Sequence, residues 1–539
     1  MSNVVITGFM GTGKTTVGRE VGRRLNRPFM DMDAEIEARA GKSVGRIFAE
    51  DGEGAFRQME ARLCAELSAR QGLVIASGGG TLVDASNRAQ MMANGTVVCL
   101  TCSVDEILLR LRQAGNPERP LLQGADPRAR IEQLLQARRE AYEAIPWQID
   151  ATGLEVEAVS ARVLEIVNTI SLSVRYPGGE YKIHVGHGQL RHIAGLLRAS
   201  GLPADSLVAL VSNPLVGSLY GAALASALQS ARFRPFVCSI PDGEQYKTLT
   251  TVANLYEQFL AAGLDRSGAV LALGGGITGD VAGFASATFM RGVPVVQLPS
   301  TLLAMVDASV GGKTGVDLPQ GKNLVGAFKQ PSLVLIDLAM LATLPPEELR
   351  CGVAEVVKHA LIGDADLIAA LETGAGNLLL WQGVQGAAWI ARALRVKIQI
   401  VEQDPFEQGR RAVLNLGHTV GHALETLSGF RLRHGEAVSI GMVAAARIAV
   451  ELGLADPLLV DRLEAVLVAW GLPVRCPPFD TAAICQALAH DKKRQYRKLR
   501  WVLPRGIGRV EIAEDVPLHL VESVLQRMGA SNRAETPAD

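Results

Sequence analysis

Cysteine is scarce in this chain: seven in 539 residues, scattered and odd in number. That argues against a disulfide-built secreted scaffold and for a reducing, cytoplasmic compartment. Charge of one sign is also lacking. The formal net charge is −1, so no overall positive field draws the chain to nucleic acid. No apolar run reaches the roughly 18 residues that a membrane span needs. No signal peptide is expected, because a glycine-rich loop begins at Gly8. What is present is a composition 48% hydrophobic and 20% charged, which suits globular domains with real cores. The length calls for two to four of them. Cys99 and Cys102 form one C-x-x-C on an apolar strand. With no second pair nearby, they read as core thiols rather than a metal or redox site.

The first 168 residues alternate short apolar strands with amphipathic helices, the pattern of an α/β fold with a parallel sheet. Strands read at 4–7, 29–32, 74–76 and 96–100, and helices at 17–25, 34–40, 54–70, 131–144 and 156–169. The pattern restarts between Thr169 and Leu172 with strands at 171–176 and 181–185. It continues with strands at 207–212, 234–239, 269–273, 295–298 and 333–337. After Pro345-Pro346 long helical periodicities take over. The expected domains are thus 1–168, an α/β domain at 172–345 and a mostly helical domain at 346–528. The polar tail 529–539 is expected to be disordered.

Gly8-Phe9-Met10-Gly11-Thr12-Gly13-Lys14-Thr15 spells G-x-x-x-x-G-K-T between the strand Val4-Val5-Ile6 and a helix. In that context glycines turn backbone N–H groups toward phosphates, the lysine reaches the β- and γ-phosphates, and the threonine hydroxyl meets Mg²⁺. The loop predicts an ATP or GTP site on Gly11, Thr12, Gly13, Lys14, Thr15 and Thr16. Asp31 and Asp33 close the second strand, on the edge where α/β ligand sites lie. One carboxylate could organise Mg²⁺ and the other face an acceptor hydroxyl, although Asp33 also suits a helix cap. Arg57, the glycines after Ser77, and Arg119 in a Gly/Pro-bearing loop complete the polar set.

These segments resemble shikimate kinase over residues 1–168. The carrying strings are GFMGTGKTTVGR, DMD, IFAEDGEGAFRQME, SGGG and RPLL, with Arg138 four residues before Tyr142. The resemblance implies that Asp33, Arg57, Gly79 and Arg138 hold shikimate, the arginines pairing its carboxylate. It implies Asp31 near Mg²⁺, Arg112 near the adenine and Arg119 as a lid cation. Positioning and charge stabilisation then suffice for phosphoryl transfer. Lys14, Asp33 and Arg119 are the catalytic candidates, with Asp33 placed to accept the proton of the 3-hydroxyl.

The second α/β region carries Gly274-Gly275-Gly276-Ile277-Thr278-Gly279 between a strand and a helix. A pyrophosphate on that helix N-terminus is plausible, but the motif is atypical. It is not on the first strand of its domain, and the next strand ends without an acid for a ribose. Acids come earlier, in Asp242-Gly243-Glu244-Gln245-Tyr246-Lys247. Arg291, Asp307, Lys313, Lys322 and Asn323 form a polar, cation-rich block that suggests an anionic ligand. Glu355 and Lys358 follow, then His418 and His422, which share a helix face, and then His434. The spacing mimics H-E-x-x-H, but Thr419 takes the place of the glutamate, so a zinc-protease reading fails. One carboxylate and two or three histidines still suit Zn²⁺ with an open position.

This half resembles 3-dehydroquinate synthase over residues 172–528, through DGEQYK, GGGITGD, QLPSTLLAMVDASVGGKTGVD, GKNLVGAF, AEVVKH, LNLGHTVGHALE, HGEAV and DKK. The resemblance implies Zn²⁺ or Co²⁺ on Glu355, His418 and His434. It implies NAD⁺ on Asp242, Glu244, Lys247, Gly276, Asp280, Ser300, Thr301, Lys313 and Lys322. Substrate would meet Arg291, Asp307, Asn323, Arg411, Asn415 and His422, with Asp307, Lys313, Lys358, Lys397 and His422 catalytic. One of Lys492 and Lys493 would join them. The implied reaction converts 3-deoxy-D-arabino-heptulosonate 7-phosphate to 3-dehydroquinate and phosphate. The C5 alcohol is oxidised, phosphate is eliminated, the ketone is reduced again, and an aldol step closes the ring. A homodimer through this half is also implied.

The chain therefore reads as a bifunctional enzyme of aromatic amino-acid biosynthesis acting on small molecules, with no nucleic-acid or membrane partner. One alternative keeps the kinase and makes the second half an NAD- and metal-dependent polyol dehydrogenase. Such an enzyme consumes NAD⁺ and has no use for so many lysines and arginines. Another makes the phosphate loop a regulatory switch, which would need no pocket for a carboxylate.

Overall fold

Val4, Val5 and Ile6 are fully enclosed on the central strand of a five-stranded sheet. The computed structural model describes residues 1–113, 126–494 and 500–531, with only the backbone described for 489–494. Strands β1 (Asn3–Gly8), β2 (Phe29–Asp31), β3 (Val74–Ala76), β4 (Gly95–Thr101) and β5 (Trp147–Asp150) are all parallel, in the order β2-β3-β1-β4-β5. Helices cover both faces, which is why the central strand is a continuous apolar run. Val5 meets Met32, Ile47, Phe56 and Leu63 on one side, while Val4 and Ile6 meet Val17, Val21, Val163 and Ile166 on the other. Cys99 belongs to the first of these cores, and burial pushes its thiol up to about 12, so it is inert packing.

The chain divides into two compact units. The first is Met1–Thr169 with two later excursions, Leu190–Asp205 and Ser230–Arg232. These excursions pack where β5 begins. The His192 ring meets Trp147 edge-on at 5.4 Å, and a β-carbon on Gly195 would lie 2.0 Å from the Pro146 carbonyl oxygen. Arg198 and Arg232 reach Glu143 at 4.0 and 3.4 Å. Neither strand β5 nor this packing stands out in the sequence pattern.

The second unit holds a seven-stranded sheet. Strands β6 (Ile170–Tyr176) and β7 (Gly179–Gly186) form an antiparallel pair at one edge. Strands β8 (Leu207–Ser212), β9 (Arg234–Ser239), β10 (Ala269–Gly274) and β11 (Val295–Pro299) run parallel. A two-stranded ribbon, β12 (Lys313–Leu318) and β13 (Gly321–Phe328), intervenes before β14 (Leu333–Asp337). The order is β6-β7-β14-β11-β10-β8-β9. The chain leaves β8 outward to β9 and returns to β10 on the other side, so the switch point lies at the carboxyl ends of β8 and β10. From Pro346 helices dominate, as the periodicity predicts, with one unforeseen hairpin of β15 (Trp501–Gly506) and β16 (Arg509–Ala513).

Two expectations change. Asp33 does not close a strand: β2 ends at Asp31, and Asp33 lies in the first turn of the following helix, Met32–Ala40. The cap is Asp31, whose carboxylate accepts from the N–H groups of Asp33 and Ala34. The tail expected to lack structure from Gly529 is folded in through Ser531. Ala530 is buried, and the Ser531 N–H donates to the Phe479 carbonyl at 2.9 Å.

A fragment ending at Thr169 omits the two excursions. The ring contact and ion pairs it loses are worth about 1–2 kcal/mol, or roughly 2–8 °C for a domain of this size. The fragment is expected to fold, with a melting midpoint lower by that amount than a version carrying the excursions on a linker. Equal midpoints by calorimetry would show the packing to be neutral.

Candidate active sites

The first site is a cleft of about 670 Å³ lined by Gly11, Gly13, Lys14, Thr15, Thr16, Asp31, Asp33, Arg57, Gly79 and Arg138. Gly13 stands at φ 92°, a left-handed conformation costly for other residues, and helix Lys14–Leu25 starts directly after it. Successive loop N–H groups thereby sit at a helix N-terminus, where anions are stabilised. Thr12 is buried, its hydroxyl donating to the Phe9 carbonyl at 2.8 Å, so it stiffens the loop. Lys14 donates to the same carbonyl at 3.0 Å. The Thr15 hydroxyl donates to Asp31 Oδ2 at 2.6 Å, so the two groups suited to Mg²⁺ already share one place.

Arg138 Nη1 and the Tyr142 hydroxyl both donate to the Gly79 carbonyl, at 3.0 and 2.6 Å. Arg57 pairs with Glu60, a fully buried acid that also accepts from Thr81. A β-carbon on Gly80 would lie 2.6 Å from Arg57 Nη1, so the glycine is what lets that arginine pass. Burial raises Asp33 to about 6, with Lys14 opposing and Asp31 and Glu60 reinforcing the shift. A carboxyl held there is ionised at neutrality and still basic enough to take a proton. Arg112 is exposed on helix Val104–Gln113 and does not line this cleft, whereas Arg110 on the same helix does. Arg119 lies outside the described residues. The sequence reading missed Glu60 and Arg110. An acid three residues beyond Arg57 in a helix was the available signal for Glu60.

The second site assembles on three helices, Pro346–Gly363, His418–Leu427 and His434–Glu451. Ligand atoms of Glu355, His418 and His434 lie within 4.8 Å of one another. The helices cross at glycines. A β-carbon on Gly435 would fall 2.3 Å from Cys351 Cα, and one on Gly441 would fall 1.9 Å from the Gly417 carbonyl. The Glu355 carboxylate is wholly buried, and neither oxygen accepts a hydrogen bond. His434 Nε2 and His418 Nε2 stand 3.5 and 3.7 Å from its Oε1, and Lys358 forms an ion pair with Oε2. Burial opposes ionisation, but Lys358 and then His434 hold the carboxyl well below the usual range. Orphaned carboxylate oxygens facing two imidazole nitrogens fit a divalent metal. His422 is exposed, its ring 5.2 Å from that of His418.

Beside this group, Lys397 donates to the carboxylate and the carbonyl of Asp307, at 2.6 and 2.5 Å. Burial lowers Lys397 below the ordinary lysine value, with Asp307 partly offsetting it. Burial opposes ionisation of Asp307, yet Lys397 and Lys358 keep it ionised. Arg411 is buried and spans the Gly311 and Pro405 carbonyls at 3.0 and 2.6 Å. Asn415 is exposed just ahead of His418.

At the switch point Gly276 opens helix Gly276–Thr288, and the Ser300 N–H donates to the Gly274 carbonyl at 2.9 Å. The Thr301 hydroxyl caps the next turn by accepting from Ala304. Lys247 Nζ joins Asp280 Oδ2 and Asn323 Oδ1, both at 2.6 Å. Lys322 reaches Glu244 at 3.1 Å, and Asp242 accepts from Asn213 at 2.8 Å. Lys313 pairs with Glu407. Arg291 is exposed at φ 62° after that helix, and the hydrogen bonds described for the site do not include it. For Lys492 and Lys493 only the backbone helix is described. Glu425, whose carboxylate meets His434 Nδ1, was missed because it reads as one more acid on an amphipathic helix.

Comparison with known proteins now decides the family. The shikimate kinase model matches residues 10–168. Those of the N-terminal and C-terminal parts of 3-dehydroquinate synthase match 237–351 and 352–494. A 3-dehydroquinate synthase from Synechococcus sp. is 46% identical over 369 residues, 66% of this chain and 98% of its own. The chain belongs to the 3-dehydroquinate synthase family, with a shikimate kinase fused ahead of it. It is a bifunctional shikimate-pathway enzyme, a kinase and a lyase in one chain. The synthase half is also similar to a solved 2-epi-5-epi-valiolone synthase from Streptomyces hygroscopicus with NAD⁺ and Zn²⁺ bound. That pair shows 33% identity and a TM-score of 0.59, covering 65% of this chain and 96% of that one. A 2-deoxy-scyllo-inosose synthase with carbaglucose-6-phosphate, NAD⁺ and Co²⁺ gives 28% and 0.61, covering 67% of this chain and 100% of that one. No helix among the described residues is long and apolar enough to cross a membrane.

Because Asp33 is raised to about 6, it is protonated below that pH and ionised above it. The kcat/KM of the kinase for its acceptor is expected to fall tenfold per unit as pH drops below about 6. In Asp33→Asn that limb should vanish together with most of the rate. A wild-type profile flat from pH 7.5 to about 5 would remove Asp33 from the role of base.

Proposed function

We propose that the first site phosphorylates shikimate from MgATP. Lys14 and the loop N–H groups hold the phosphates, and Thr15 with Asp31 faces Mg²⁺. Arg57 and Arg138 pair the substrate carboxylate, Gly79 closes against the ring, and Asp33 takes the proton of the 3-hydroxyl. Glu60 supports this by holding the Arg57 fork in place. In such an arrangement preorganised charge and alignment provide the catalysis.

The second site is proposed to convert 3-deoxy-D-arabino-heptulosonate 7-phosphate to 3-dehydroquinate. Glu355, His418 and His434 would hold Zn²⁺ or Co²⁺, and the turn at Gly276 with Asp242, Glu244, Asp280, Ser300, Thr301 and Lys322 would hold NAD⁺. These groups supply Lewis-acid polarisation and reversible hydride transfer. The chain's own part is to clamp an anion and move protons. Lys397 and Asp307 form a donor–acceptor pair beside the proposed metal ligands, with Lys358 on the far side of Glu355's carboxylate. Lys247 braces Asp280 and Asn323 between the cofactor and substrate regions. Arg291, Lys313, Arg411, Asn415 and His422 are proposed to meet substrate. The orphaned Glu355 carboxylate between two histidines carries this reading. Seven free thiols support a reducing cytoplasm, and the family resemblance supports a homodimer through the synthase half.

Two variants separate the activities. Lys14→Ala is expected to lower shikimate phosphorylation on the order of 10²-fold or more and leave dehydroquinate formation intact. His434→Ala should do the reverse. NAD⁺ should be needed only in catalytic amount, so the near-ultraviolet absorbance of NADH should not grow with product. NADH accumulating mole for mole would favour a polyol dehydrogenase, and a Lys14→Ala protein with normal kinase turnover would displace the phosphate loop from its role.

A further inference from the structure

Among the described residues, three overlapping groups have ligand atoms close enough for a metal: Glu355 with His418 and His434, His422 with Glu425 and His434, and Asp307 with Glu355 and His359. His434 belongs to two of them, and its ring has only two nitrogens to share. Nδ1 lies 3.1 Å from Glu425 Oε1 and Nε2 lies 3.5 Å from Glu355 Oε1. The same division occurs at His418, where Nδ1 lies 3.1 Å from the Leu416 carbonyl and Nε2 faces Glu355. A carbonyl only accepts, so His418 carries its proton on Nδ1 and presents a lone pair at Nε2. At His434 no backbone carbonyl performs this service; a side chain does. Glu425 is buried on the inner face of helix His418–Leu427, and it reaches the ring from the side away from Glu355.

We propose that Glu425 is a positioning residue for the metal site. By accepting the Nδ1 proton of His434 it fixes that ring's orientation, directs Nε2 to the metal beside Glu355 and His418, and is not itself a ligand. The inference rests on the metal reading above and adds which of the overlapping groups the fold selects. A carboxylate behind a ligating imidazole also makes it a stronger donor, and losing such a partner typically costs 10–100-fold in metal affinity.

The full-length chain, stripped with a chelator and dialysed, is titrated with Zn²⁺ against a chromophoric chelator, and separately with Co²⁺ while visible absorption is recorded. Wild type is expected to take one tight equivalent and Glu355→Gln to lose it. Glu425→Ala should bind the same single equivalent about 10–100-fold more weakly. Glu425→Gln, which keeps an acceptor oxygen, should fall between them. Both Glu425 variants should keep the Co²⁺ band at wild-type intensity with only its position moved. Should Glu425→Ala fail to fold by circular dichroism, the near-isosteric Glu425→Gln carries the test. Unchanged affinity in a folded Glu425 variant overturns the proposal. So does loss of the metal with collapse of the Co²⁺ band, which would make Glu425 a ligand in the His422 group. A wild-type chain that takes up no metal overturns the metal reading itself, and the role of Glu425 falls with it.

Discussion

The second unit is organised around one burial: the carboxylate of Glu355 has no access to water and accepts no hydrogen bond. An isolated charge there would cost several kcal/mol, and a partnered one much less. Its neighbours answer that demand. Lys358 sits one helical turn along, His418 and His434 present nitrogens from two other helices, and a half-buried Asp307 pairs with Lys397 alongside. The three helices must therefore approach closely, and glycine stands at the crossings where any side chain would collide with backbone.

The first unit solves the problem of holding an anion by a different route. Its phosphate loop is contiguous, and the binding groups are backbone N–H groups that every residue carries, aimed by left-handed glycines at a helix N-terminus. Side chains are added from strand ends: Asp31 at the end of β2, Ser77 to Gly80 after β3. This cleft is open to solvent, so its charges can be re-paired by water when no ligand is bound. The exception is Glu60, buried beneath Arg57, which gives an otherwise mobile arginine one orientation.

That contrast explains what the sequence shows and what it hides. The phosphate loop is legible because its function is local, and so are strands 74–76, 207–212 and 333–337, which are short runs buried on both faces. Strand β5 escapes notice because Trp147-Gln148-Ile149-Asp150 contains as many polar as apolar residues. The ribbon β12–β13 hides because most of β13 is exposed and carries no apolar alternation. The proposed metal-binding region stands out, since histidine is rare in the chain and His418 and His422 are four residues apart. Glu425 does not, because its function depends on where His434 arrives from another helix. Residues 190–205 likewise gave no sign that they pack with the first unit.

Sites built in these two ways respond differently to their ligands. A phosphate loop is shaped before anything binds, because its φ angles and the Thr12–Phe9 bond are set within the loop. The metal site is shaped by helices that meet only in the folded unit, so an ion that binds there also holds the helices together. Mass action makes this stabilisation about 2.7 kcal/mol at a hundredfold excess over Kd, and the effect belongs to the second unit alone. His434 lies between two carboxylates, with Glu425 at Nδ1 and Glu355 at Nε2. Burial lowers its affinity for a proton, but these two groups raise its pKa to about 10. A metal and a proton compete for Nε2, so acid opposes loading of the site.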